Sequence, residues 1–123
     1  MFIDSRAKWP YNWTMLEIIL GNRIKERALL FLLTRKEGYA REISSAFGGQ
    51  LTSYLNQLKN LERAGVLVSK LKGKTRVYTF NPRYPFKPEL EKLLNKALSF
   101  MPQKEKAKYY TPRLRPRRAG KPL

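Results

Sequence analysis

Six polar side chains, Gln50, Thr52, Ser53, Asn56, Gln57 and Asn60, fall on one side of a 3.6-residue repeat. Amides of Asn and Gln can engage adenine with two hydrogen bonds, and the hydroxyls of Ser and Thr bond several base edges less selectively. Lys59 and Arg63 flank them, supplying charge for phosphate oxygens. The chemistry on offer is therefore hydrogen-bonded reading of a polymer's base edges, held in register by ionic contacts. The competing explanation is an ordinary solvated helix face. Exposed helices, however, favour Glu and Lys over so dense a set of mediocre helix formers.

The opposite side of the same stretch carries Leu51, Tyr54, Leu55, Leu58 and Leu61, an apolar stripe that predicts an amphipathic helix docked on a core. Tyr54 fits the core stripe better than a sugar-phosphate edge. Gly65 supplies the left-handed residue that ends such a helix. Val66, Val68 and Leu71 then suggest a strand, Lys72-Gly73-Lys74 a turn, and Val77, Tyr78 and Phe80 the returning strand. Lys70, Lys72, Lys74 and Arg76 crowd this hairpin. They suit a phosphate backbone, and they also suit an edge protected against aggregation by lysine.

Three helices are expected upstream. Trp13, Leu16, Ile19 and Leu20 mark a short one ended by Gly21. Asn22 caps a second that runs to about Arg35, with Ile24, Ala28, Leu29, Phe31, Leu32 and Leu33 directed inward. After Gly38, Tyr39, Ile43 and Phe47 define a third, closed by Gly48-Gly49. Downstream, Asn81-Pro82 ends the hairpin, and Leu90, Leu93, Leu94, Ala97 and Leu98 stripe a last helix with Pro88 in its first turn. The order predicts a mainly α, α+β fold: a winged helix-turn-helix with a two-stranded wing and flanking N- and C-terminal helices. The expected boundaries are a lead-in at 1–12, the domain at 13–101, and a basic disordered tail at 102–123. That tail holds eight cations against Glu105, with prolines at 102, 112, 116 and 122.

The 123 residues carry 26 Lys plus Arg against 9 Asp plus Glu, a formal net charge of +17. So large an excess on one small domain points to a polyanionic partner, with nucleic acid ahead of an anionic membrane. The chain has no Cys and no His, which removes disulfides, thiol redox chemistry and the usual ligands of zinc or copper. No metal site and no cofactor are expected. Carboxylates are few, and Glu89 and Glu91 fall on different sides of a helix, so no catalytic residues are expected either. Glu62 reads as a surface partner of Lys59 or a nearby arginine. No apolar run reaches the roughly 20 residues that span a bilayer, and no secretory leader is evident; the expected location is cytoplasmic.

Leu20-Gly21-Asn22-Arg23, Arg41-Glu42-Ile43 and the segment from Leu58 to Leu67 together resemble the arsenic-repressor-type (ArsR-like) winged-helix transcriptional regulators. The segments Tyr78-Thr79-Phe80-Asn81-Pro82 and Pro85-Phe86-Lys87-Pro88-Glu89-Leu90 are similar to a bacterial and archaeal subgroup, also found beside nucleotidyltransferase domains. The resemblance covers residues 13–98. It implies a DNA-binding regulator, with Gln50, Thr52, Ser53, Asn56, Gln57 and Asn60 on bases and Arg41, Lys59, Arg63, Lys70, Lys72, Lys74 and Arg76 on the backbone. It also implies a homodimer through the first and last helices. Trp9, Trp13, Leu16, Ile19, Leu90, Leu94 and Leu98 fit that role, being more apolar surface than one small core covers; capping of the monomer core is the alternative. Metal sensing does not carry over, because its cysteines and histidines are missing. The rival functions are an RNA-binding or nucleoid-associated basic protein, and a protein-interaction adaptor.

Overall fold

A computed structural model describes residues 16–111. Six helices and one hairpin follow in the order α1 (Glu17–Leu20), α2 (Arg23–Arg35), α3 (Ala40–Phe47), α4 (Leu51–Arg63), β1 (Leu67–Lys72), β2 (Thr75–Phe80), α5 (Lys87–Ser99) and α6 (Gln103–Tyr109). The architecture is mainly helical, with a two-stranded antiparallel sheet.

Helix α2 organises the rest. The side-chain oxygen of Asn22 accepts from the amides of Ile24 and Lys25, at 2.7 and 3.0 Å, and so starts the helix. Ala28, Leu29, Leu30, Phe31 and Leu32 are all buried in succession, so no side of this central turn faces water. A helix enclosed on every side is a core helix rather than a surface one. Accordingly α1, α3, α4, α5 and β2 all pack on α2. Leu30, outside the expected inward set, is fully buried, whereas Ile24 and Leu33 are only partly so. Each large side chain buried here contributes about 1.5–3 kcal/mol.

The strands pair from Leu67↔Phe80 to Lys72↔Thr75, leaving Gly73-Lys74 as a two-residue turn. Gly73 takes φ +67 while Lys74 does not turn positive, the arrangement in which only the first turn residue must tolerate the left-handed region. A further bridge joins Gly38 to Tyr78. The Gly38 amide donates to the Tyr78 carbonyl at 3.1 Å, and the Tyr78 amide donates back at 2.8 Å. A Cβ at Gly38 would lie 3.1 Å from Phe31 and 3.2 Å from Leu32, so close approach explains the glycine. Neighbouring Val77 and Tyr78 are both buried although they point to opposite faces. Val68 and Leu71, which marked the first strand in the sequence, are 39% and 58% exposed. The inward residues at this end of the hairpin are Val66 and Leu67.

Two expectations change. Leu16, Leu94 and Leu98, assigned to a dimer interface, lie inside the core cluster of a single chain, 4%, 0% and 8% exposed. The stretch after residue 101 is not wholly irregular: Pro102 occupies the N-cap of α6, and Tyr110 is buried just beyond its end. Pro102 lacks an amide that a helix start leaves unbonded in any case, and the aromatic side chains supply a docking face. Residues 1–15, including Trp9 and Trp13, and residues 112–123 lie outside the described residues.

One acid is enclosed. Glu26 is 2% exposed and accepts from the Leu16 amide at 3.0 Å. Burial pushes its carboxyl up to about 7, with Glu17 adding to the rise and the Leu16 amide, Arg23 and Arg27 opposing it. The folded chain thus holds this proton more tightly than the unfolded chain, whose ordinary value is 4.5. The resulting stability is complete below the lower value and is lost as pH rises through about 7, on the order of 3 kcal/mol in all. We expect Glu26→Gln to flatten the difference in urea midpoint between pH 5 and pH 8; a parallel decline in variant and parent would assign the pH dependence elsewhere.

Candidate nucleic-acid interface

Helices α3 and α4 are joined by the turn Gly48-Gly49-Gln50. Gly48 and Gly49 both take positive φ, +86 and +107, which lets α4 leave α3 abruptly. The buried Tyr54 then fixes the angle. Its ring belongs to the core, and its hydroxyl donates to the Gly48 carbonyl at 2.7 Å while accepting from Arg27 Nη1 at 3.0 Å. One side chain of α4 thereby holds the turn and α2 together.

The other face of α4 is open. Gln50, Thr52, Asn56 and Asn60 are exposed, and Ser53 and Gln57 are half-buried. Among the described residues, the side chains of Gln50, Thr52, Ser53, Asn56 and Gln57 make no hydrogen bond that would occupy them. Asn60 differs: its Oδ1 accepts from Arg63 Nη1 at 2.8 Å, so this pair is partly satisfied within the helix. Lys59 and Arg41 are exposed.

Gly65, at φ +87, reverses the chain at the far end of α4. The Val66 amide donates to the Leu61 carbonyl at 2.9 Å and the Gly65 amide to Glu62 at 3.0 Å, the paired closing bonds of a left-handed helix cap. Asn81 Nδ2 donates to the Gly65 carbonyl at 2.9 Å, and the Asn81 amide donates to the Val66 carbonyl at 2.9 Å. Both ends of the hairpin are thus tied to the end of α4. A side-chain relay adds a third tie: Arg76 Nη1 donates to Ser69 Oγ at 3.0 Å, and Ser69 Oγ donates to Glu62 Oε2 at 2.7 Å. Glu62 therefore bonds Ser69 of the hairpin directly, where the sequence suggested Lys59 or a nearby arginine.

The hairpin cations do not form one set. The register places Lys70 and Lys72 on one face and Arg76 on the other, with Lys74 in the turn. Lys72 Nζ pairs with Glu37 at 3.2 Å, and both side chains are about half exposed, so this pair contributes roughly 1 kcal/mol or less. Lys70 and Lys74 have no acid partner among the described residues. Of the described positions assigned to a dimer interface, only Ile19 stands well clear of the core, 70% exposed, and Leu90 packs partly against it. The structure brings out instead Ile18, Phe86, Leu93 and Phe100, all exposed. The last three recur every seven residues, a spacing visible in the sequence but overshadowed by the buried stripe beside it.

No helix among the described residues is long and apolar enough to cross a membrane, and no cluster of acidic side chains there could hold a metal ion. The chain matches no family model, no curated protein and no solved structure.

Tyr54→Phe removes the donor to Gly48 and the acceptor for Arg27 while keeping the ring. We expect a loss of about 1–3 kcal/mol, seen as a lower urea midpoint at unchanged slope. An unaltered midpoint would show that the hydroxyl does not secure the turn.

Proposed function

We propose that this chain is a winged helix-turn-helix protein that binds double-stranded DNA as a homodimeric transcriptional regulator. The observation that carries the reading is the row of unoccupied amides and hydroxyls on α4, with exposed cations on α3, on α4 itself and on the hairpin that follows it. At 13 residues, α4 extends roughly 20 Å, and the major groove, about 12 Å wide, admits a helix. Asn56 and Gln57 supply the bidentate groups, and Thr52 and Ser53 the adaptable ones. Lys59, Lys70, Lys74 and Arg41 supply charge for the backbone. Regulation follows from occlusion or bending of promoter DNA.

The dimer rests on α5. Phe86, Leu93 and Phe100 have the same spacing read in either direction, so a second copy running antiparallel sets Phe86 against Phe100 with Leu93 on the axis. Exposed Ile18 and Ile19 extend the apolar surface available. Such a pair carries two recognition helices, suited to half-sites about 34 Å apart.

About six phosphate contacts would lower affinity roughly a thousandfold between 50 and 200 mM salt. Asn56→Ala with Gln57→Ala is expected to leave that salt dependence intact and to abolish preference for a duplex selected from a random pool over an unselected one. Preserved preference would remove base reading by α4. Duplex DNA bound no better than duplex RNA at about 150 mM salt would transfer the assignment to RNA. Sedimentation at tens of micromolar is expected to give a dimer that Leu93→Lys dissociates, whereas a monomeric parent chain would remove the dimer.

A further inference from the structure

Helix α6 is seated at the turn that precedes α4. The Tyr109 ring stacks on Phe47, the last residue of α3, at 4.6 Å and 18°. Tyr110 meets the same ring at 5.6 Å and is buried, and burial raises its hydroxyl pKa. On Phe47 also rests the Arg27 guanidinium, 5.1 Å from the centroid, the group that donates to Tyr54. The aromatic cluster therefore joins α6 to the same node that orients the recognition helix.

This docking uses one side of α6. Glu105, Lys106, Tyr109 and Tyr110 turn inward to varying degrees, whereas Lys104, Ala107 and Lys108 are exposed. Lys104 and Lys108 stand four residues apart and so share the outer face. The Lys108 ammonium lies 5.1 Å from the centroid of Tyr109, the ring stacked on Phe47. The hairpin leaves α4 at its C-terminal end, while α6 is joined to the turn at its N-terminal end. Cations thus stand at both ends of the helix that carries the polar face.

We propose that Lys104 and Lys108 form a second phosphate-binding element, gripping the sugar-phosphate backbone of duplex DNA at the turn end of α4 while the hairpin grips it at the other. This rests on the duplex-DNA reading above. The placement differs from the contribution of an unstructured basic arm, because the aromatic docking fixes the helix that carries both lysines before DNA arrives, and pre-ordered elements lose less entropy on binding.

The test uses the full chain and a random-sequence duplex of fixed length, with affinity measured across salt concentrations. Lys104→Ala with Lys108→Ala leaves α6 a good helix former. It is expected to reduce the salt slope by about 2 and affinity on the order of tenfold, equally for all sequences. Lys70→Ala with Lys74→Ala is expected to act similarly, and the two pairs to add. Lys92→Ala with Lys96→Ala, on α5, is expected to leave the slope unchanged, compared at a concentration where sedimentation shows the same oligomeric state as the parent chain. A normal slope for the α6 pair beside a reduced one for the hairpin pair overturns the proposal and keeps the DNA reading. An equal reduction from the α5 pair also overturns it, since bulk charge then explains the effect. No salt-dependent duplex binding by the parent chain overturns both.

Discussion

The Tyr54 hydroxyl is the constraint on which the exposed surface depends. It is bonded at once to the Gly48 carbonyl and the Arg27 guanidinium, and its ring lies in the core. A helix following two glycines at positive φ has little local reason to adopt one direction, because glycine explores that region without penalty. The direction comes instead from a long-range contact between α4 and α2. Through Phe47, which carries the Arg27 guanidinium on its ring and the stacked Tyr109 beside it, the same node also seats α6. Three elements distant in sequence thus share one small polar-aromatic junction, and the polar face of α4 points outward because that junction holds.

The distribution of acids explains how so basic a chain folds without neutralising itself. Its few carboxylates are largely committed to structure: Glu26 to the Leu16 amide, Glu42 to Arg35, Glu62 to Ser69, Glu37 to Lys72 and Glu91 to Lys87. Among the described residues this leaves Lys70 and Lys74 of the hairpin and Lys104 and Lys108 of α6 without an acid partner, while Lys72 is paired. Uncompensated positive charge therefore gathers at these exposed positions and raises the local potential there.

Features governed by neighbours in sequence were legible in advance. Asn22 as a cap, Gly48-Gly49 and Gly65 as stops, the stripe of α4 and the hairpin turn all follow from local backbone chemistry and periodicity. What escaped depends on partners far along the chain. Nothing near Gly38 announces its bridge to Tyr78, since the requirement is the closeness of Phe31 and Leu32. Leu94 and Leu98 looked like surplus surface because the extent to which α2 is enclosed cannot be counted from one helix at a time. The prolines after residue 101 suggested disorder, yet Pro102 begins a helix whose anchoring comes from Phe47. At the interface, the polar row was readable from residue types, whereas the spending of Asn60 on Arg63 and of Arg76 on Ser69 required coordinates.

The ties at Gly65, Val66 and Glu62 hold the base of the hairpin to the end of α4, and the bridge from Gly38 to Tyr78 clamps it again one turn of the ladder further out. What can still bend is the stretch beyond that bridge, residues 70–72 with residues 75–77, about 10 Å of strand. A tilt of roughly 10° there moves the tip by about 2 Å, less than one hydrogen-bond length. The lysines near the turn are thus carried on a short, doubly anchored spur, whose position follows α2 as much as α4.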